Sequence, residues 1–400
     1  MKSIGILTLN FNNYGTKLQA YALSVILKKI VREEACVQVI KLEAFWGGIY
    51  KSLWYKKLLR NSFKNYGFLR AFRYIMEKLY WKKEMVALLK KDYSEQTAKR
   101  NSLFQKLNEM IPYTSQYYSF DDIRNGKLTD FDCYIVGSDQ VWNALKVGNQ
   151  DIFMLDFFKD GKRLSYAASF GMTKIPNEMF ADYKRRIAHF DSLLIREQEG
   201  VDLCKSLGRD DAELVLDPTL LLKREEYAQI IEEEPLVKGK FILVYSLNQS
   251  YKIYNEAYRL SKKEGCKMIV LKRSICPPDI EKYDNALELY AVSPEGFLWL
   301  IRNAECVVTN SYHALIFSIN FNTPYYLYLD NADEENSRMI SISKLLGLND
   351  LIFWETEHLP KTIMQIDFSN VNKRINEERN RCITLLTNAL VRNGISKSQS

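Results

Sequence analysis

Short apolar runs recur along the chain, each closed by a polar loop and followed by a stretch with helical period. The first is Ser3-Ile4-Gly5-Ile6-Leu7-Thr8-Leu9. A polar loop containing Asn10, Asn12, Asn13 and Gly15 follows it, and then Leu18, Tyr21, Ala22, Val25 and Ile26 recur at helical spacing. Similar strand patterns lie at Cys36 to Leu42, Asp132 to Gly137, Arg163 to Ser169 and Asp191 to Arg196. After the charged Glu232-Glu233-Glu234-Pro235 the alternation begins again. It predicts strands at Lys240 to Tyr245, Lys267 to Leu271, Ala304 to Thr309 and Pro324 to Leu329. Helices are predicted at Lys252 to Glu264, at Ser293 to Asn303 and from Tyr312. Uninterrupted apolar strands separated by helices mark parallel sheets covered on both faces. The expected fold is therefore α/β, with two Rossmann-like domains facing a cleft. Residues 1–230 make the first domain and 236–375 the second. Residues 376–400 form a C-terminal helix and a frayed tail, polar from Asn393 onward.

Charge changes this picture in one place. Lys51 to Lys91 holds twelve Lys or Arg against Glu77 and Glu84, together with nine aromatic residues, whereas the whole chain of 400 residues carries a net charge of +7. This stretch reads as a basic helical insert in the first domain, at about 48–106. It suits an anionic membrane surface, or equally a solvated excursion whose aromatics pack on the domain. No nucleic-acid motif accompanies it. The seven cysteines are scattered and never paired as C-x-x-C, and only three histidines occur, so neither a disulfide framework nor a metal site is suggested. Cys133 and Cys306 fall in predicted buried strands. No apolar stretch reaches the length of a membrane span, and the opening apolar run is too short for a signal peptide. A cytoplasmic protein, peripheral at the inner membrane face if the insert binds lipid, is the expectation.

Five segments place polar residues where such folds bind ligands, at the carboxyl ends of strands and the starts of helices. Asn13 and Gly15 lie in the first strand-to-helix loop, which offers free N–H groups to an anion or serves simply as a capped turn. Ser138 and Asp139 follow the strand ending at Gly137, as ligand groups or as caps of the next helix. Ser169 ends a strand of small residues. Arg196 directly follows an apolar strand, where it either grips a carboxylate or phosphate or makes a structural ion pair with Glu197 or Asp217. Asn310, Ser311 and His313 open a helix after Thr309, and the helix dipole there favours a neutral imidazole, which serves as a base or as an ordinary structural histidine.

Taken together, N-Y-G-x-x-L-Q-A-Y-A-L, D-x-Y-I-V-G-S-D-Q-V-W-N, R-x-S-Y-A-A-S-F-G, I-R-E-x-x-G, L-D-P-T-L-L-L and T-N-S-Y-H-A-x-x-F-S-I occur in this order between Ile4 and Tyr326. The chain in this respect resembles the polysaccharide pyruvyl transferase family, and Asn336-Ser337-Arg338 fits the same pattern. The resemblance implies a fold similar to the glycosyltransferase-B arrangement. It also implies transfer of the enolpyruvyl unit of phosphoenolpyruvate, as co-substrate and without a cofactor, onto a glycan acceptor as a ketal. The acceptor would be a sugar of a surface polysaccharide or its lipid-linked precursor. By the same resemblance Arg196 binds the donor and His313, with Asp139, supplies acid–base chemistry. Asn13, Gly15, Ser138, Ser169, Asn310 and Ser311 would contact substrate. Some members carry arginine where this chain has Ser311, and Lys272 or Arg273 is the candidate replacement. Two other functions share the architecture: a glycosyltransferase using a nucleotide sugar, and a non-catalytic carbohydrate-binding paralogue.

Overall fold

A computed structural model of the chain describes residues 1–43, 98–128, 130–143, 147, 150–231, 234–248, 250–272, 280–330 and 336–397. Two parallel sheets are present. The first holds β1 (Lys2–Leu7), β2 (Ala35–Leu42), β3 (Tyr113–Tyr118), β4 (Cys133–Val136), β5 (Lys162–Ala168), β6 (Ser192–Ile195) and β7 (Glu213–Leu214), in the order β3-β2-β1-β4-β5-β6-β7. The second holds β8 (Phe241–Tyr245), β9 (Lys267–Leu271), β10 (Ala286–Leu289), β11 (Cys306–Thr309), β12 (Tyr325–Leu329) and β13 (Ile352–Trp354), in the order β10-β9-β8-β11-β12-β13. This is the α/β arrangement of two parallel sheets that the alternation predicts.

The central strands are apolar because helices cover both of their faces. Every residue of β4, β8, β11 and β12 is buried. The edge strands β3 and β10 mix polar with apolar residues, and β13 is only three residues long; each meets only one neighbour, and none was anticipated. In each sheet the strand order reverses once, between β1 and β4 and between β8 and β11. These are the two points where loops diverge at the carboxyl edge and leave a crevice.

The halves meet through the helix Tyr14–Val31. The Tyr14 ring stacks on Phe297 of the second half, with centroids 4.5 Å apart, and on Phe104 of the first at 5.5 Å. Its hydroxyl donates to the Val292 carbonyl at 2.9 Å. Phe104 belongs to the end of the basic insert, and that end, from residue 98 on, is the only part of it within the described residues.

The C-terminal helix runs from Phe368 to Arg392, so it begins earlier than the expected 376. It returns to the first half, where the Leu216 amide donates to Cys382 Sγ and Arg381 Nη2 donates to the Leu214 carbonyl. Beyond it, the expected fraying is not seen through residue 397. Ile395 is buried, and the Ser396 hydroxyl and Lys397 amide both donate to Glu34 Oε2. The apolar Ile395 side chain explains why a polar-looking segment stays docked.

Buried Arg379 of this helix joins both halves, donating to the Leu220 carbonyl and to Asn320 Oδ1. Asn320 in turn donates to the Leu222 carbonyl at 3.0 Å. Replacing Arg379 by Ala strands these acceptors, and hydrogen bonds to a charged group contribute about 1.5–3 kcal/mol. We expect urea unfolding of Arg379→Ala to show a loss of that size.

Candidate active site

The two sheet reversals face one another, and the residues singled out in the sequence cluster there. From the first half comes the turn before the Tyr14–Val31 helix. Asn13 is extended, and its side chain accepts from the Gly15 amide at 3.1 Å, which caps the helix. Thr16 Oγ1 then donates to Asp139 Oδ2 at 3.2 Å. Asp139 follows β4 with φ of 77°, a left-handed conformation that non-glycine residues hold only where the surroundings enforce it. From the second half, β11 leads into the helix Tyr312–Phe321, which Ser311 caps by accepting from the Ala314 amide. His313 sits in its first turn, and its ring lies against Gly15. A Cβ on Gly15 would stand 2.0 Å from His313 Nδ1, so only glycine leaves room for the imidazole.

Arg196, at the end of β6, is the electrostatic centre. Its side chain has no exposure, and Nη1 reaches Asp217 Oδ2 at 3.1 Å and Ser138 Oγ at 3.3 Å. Asp139 and Glu197 lie 3.9 Å from its Nη2 and Nε. The guanidinium also stands over the Tyr312 ring at 4.7 Å, and Arg338 approaches the same ring at 5.3 Å. Nη1 of Arg196 is thus engaged in the structural ion pair, while its buried Nε and Nη2 have no hydrogen-bond partner among the described residues. Ser138 Oγ, donating to Asp217 at 2.8 Å, belongs to that pair. Ser169 donates to Glu197 Oε1 at 3.0 Å, which also accepts from the Phe170 and Gly171 amides.

Asn310 is turned the other way, accepting from the Leu247 amide and donating to Asn248 Oδ1, and so ties down the loop after β8. Lys272 pairs with Glu288 at 2.7 Å, so its charge is already met. Arg273 lies outside the described residues. The structure therefore brings together Asn13, Gly15, Ser138, Asp139, Ser169, Arg196, Ser311 and His313, but spends most of their polar atoms on the scaffold. It adds Asp217, Tyr312, Glu197 and Arg338, absent from the residues expected to contact substrate. Glu197 and Asp217 were named in the sequence only as ion-pair partners of Arg196, and Arg338 only as part of the N-S-R string.

Burial holds the His313 imidazole below its usual range, against the pull of Asp217 and Asp139 and with help from Arg196 and Arg338. Burial opposes the charge of Asp139 and Asp217, and the neighbouring Arg196 and His313 outweigh it, so both carboxyls are held low. Glu197 goes the other way, because burial dominates. Among the described residues His313 Nε2 is buried without a hydrogen-bond partner. No group of three or more His, Cys, Asp or Glu among them is placed to hold a metal ion.

The sequence model of the family described as polysaccharide pyruvyl transferase matches residues 13–330, most of the chain and every segment of this site. The chain belongs to the polysaccharide pyruvyl transferase family. No curated protein sequence matches it. Among solved structures, a candidate UDP-N-acetylglucosamine 2-epimerase from Listeria monocytogenes is 8% identical, with TM-score 0.52, over 96% of this chain and 90% of that one. A UDP-GlcNAc 2-epimerase from Methanocaldococcus jannaschii gives 11% and 0.48 over 97% and 100%. The ADP-heptose heptosyltransferase II of E. coli gives 10% and 0.38 over 98% and 100%. The first of these is a likeness of fold. As a member of its family, the chain is a transferase of the polysaccharide-modifying kind, and the fold is the two-domain α/β arrangement anticipated as similar to glycosyltransferase-B. Among the described residues no helix is long and apolar enough to cross a membrane.

Two outcomes follow from the charges. Arg196→Ala leaves Asp217 buried and unpaired, and breaking such a pair costs about 3–5 kcal/mol. Thermal unfolding should register that loss, whereas a residue serving only a ligand would leave the free protein's stability unchanged. For His313 the folded state resists protonation that the unfolded chain accepts near pH ~6.5. The stability this confers is fully present above that pH and is lost as pH falls through the lower folded value. Nitrogen NMR of the imidazole should find the ring still neutral at pH 6.5; a ring already half protonated there would contradict the burial argument.

Proposed function

We propose that this chain is a pyruvyl transferase that builds a cyclic ketal on a sugar from phosphoenolpyruvate. The acceptor belongs to a surface polysaccharide or its lipid-linked precursor. The observation that carries this reading is His313, a neutral imidazole with an unpartnered Nε2, held between the halves beside a carboxylate that stays charged. Ketal formation needs that combination. One sugar hydroxyl adds to C2 of the enol phosphate while a proton is delivered to C3, turning methylene into methyl. The C2–O bond to phosphate then breaks, and a second hydroxyl attacks the oxocarbenium carbon. Of the two hydroxyl protons released, one is balanced by the new methyl C–H and the other leaves on phosphate. His313 takes and returns a proton in this scheme, and Asp139 stabilises the imidazolium while it exists.

The donor carries a carboxylate and a phosphate, so the site must supply positive charge. The first-turn N–H groups of the Tyr312–Phe321 helix and the Arg338 guanidinium support this part of the reading. Arg196 acts as a positioning residue, holding Asp139 and Tyr312 in place through its ion pairs and ring contact.

The test is incubation of pure protein with phosphoenolpyruvate and a panel of lipid-linked or aryl glycosides, with mass spectrometry for the added pyruvyl mass. His313→Asn should keep the fold and lower the rate roughly 10²- to 10⁴-fold, the range for a lost acid–base group. Absence of pyruvyl product with every acceptor, or near-wild-type turnover by His313→Asn, would refute the assignment.

A further inference from the structure

Among the described residues, two lysines beside the active site have no carboxylate within ion-pair distance. Lys17, two residues beyond Gly15 in the Tyr14–Val31 helix, is 6% exposed, yet among the described residues no carboxylate lies within ion-pair distance. Its ammonium donates to the Tyr113 hydroxyl at 2.9 Å and stands 5.1 Å from that ring's centroid. Lys41, near the end of β2, lies 5.8 Å from the same centroid and 4.1 Å from that of Tyr117, whose ring is largely exposed. Both ammonium groups therefore converge on Tyr113, the first residue of β3, with Lys41 one residue before the carboxyl end of β2 and Lys17 in the first turn of the helix that follows β1.

Lysine is rarely buried without a partner, because taking an ammonium out of water is costly. Here burial and the like charge of Lys41 push Lys17 down to about 8. A methionine would fill this space without that cost. Two close cations, one at the carboxyl end of β2 and one at the start of the helix after β1, together with a phenol able to donate, describe an anion site. Compact ammonium groups suit phosphate oxygens as point charges, and two of them suit a group with more than one negative charge.

We propose that Lys17, Lys41 and Tyr113 form a phosphate-recognition subsite, separate from the donor position at His313, that takes the diphosphate of a lipid-linked acceptor. The acceptor part of this assignment rests on the transferase reading above; the anion site does not. The subsite orients the glycan by its anionic end while its sugar reaches His313.

The experiment is calorimetric titration of the full-length protein saturated with phosphoenolpyruvate, using inorganic pyrophosphate, orthophosphate and a short-chain prenyl diphosphate as probes. Both diphosphates should bind more tightly than orthophosphate. Lys17→Met and Lys41→Gln, with circular dichroism confirming the fold, should each weaken diphosphate binding by roughly tenfold, and the double variant more. Unchanged affinity in both single variants would overturn the site, because a lysine buried only for packing predicts that result. Displacement of pyrophosphate by phosphoenolpyruvate would equally overturn it, as the site would then belong to the donor. Orthophosphate binding as tightly as the diphosphates would overturn the acceptor assignment in favour of released product. Failure of the transferase reading would appear differently, as diphosphate binding without any pyruvyl product.

Discussion

Everything at the cleft depends on how closely two helix starts approach. Gly15 opens one and His313 the other, and the imidazole occupies the space that any side chain at position 15 would fill. Tyr14 sets this distance by wedging its ring onto Phe297 and hanging its hydroxyl on Val292. Adjacent residues thus do opposite things, one filling the gap between the halves and the next keeping it open. Because protein interiors are close-packed, such a joint has little freedom to relax, and the position of His313 follows from it.

The same closeness shapes the charges. Arg196 lies among Asp139, Glu197 and Asp217 with its side chain closed off from water, hydrogen-bonded to Asp217 and within 3.9 Å of the other two. A lone guanidinium cannot neutralise three carboxylates, and burial answers by raising Glu197 while Asp139 and Asp217 stay low. Arg338, brought in by the helix Ser337–Leu346, adds the second cation. The result is a charge cluster assembled from four stretches of chain, which makes its pKa pattern a property of the folded state.

How much of this was legible in the sequence depends on which force wrote the signal. Burial on both faces writes a continuous apolar run, and β1, β8 and β12 were readable for that reason. The edge strand β3, Tyr-Thr-Ser-Gln-Tyr-Tyr, carries no such run because one of its sides has no neighbouring strand. At the site, position relative to a strand end pointed to Asp139, Arg196 and His313. What it did not tell was direction: Asn310 follows the same strand as His313, yet bonds to Leu247 and Asn248. Nor did it tell that Arg196 would choose Asp217 over a ligand, since that choice depends on a neighbour across the sheet. The contact of Arg338 and Arg196 with the Tyr312 ring joins distant stretches of chain, so the strings that contain these residues do not show it.

The return of the C-terminal helix to the first half has a mechanical meaning. The chain passes from the first sheet to the second between Leu222 and Phe241, and passes back before Cys382 reaches Leu216. Two bodies joined at two places are not free to tumble about a flexible tether. The helix Phe368–Arg392 adds Arg379, bonded to both halves, so relative movement of the halves is restrained more than a single tether would restrain it.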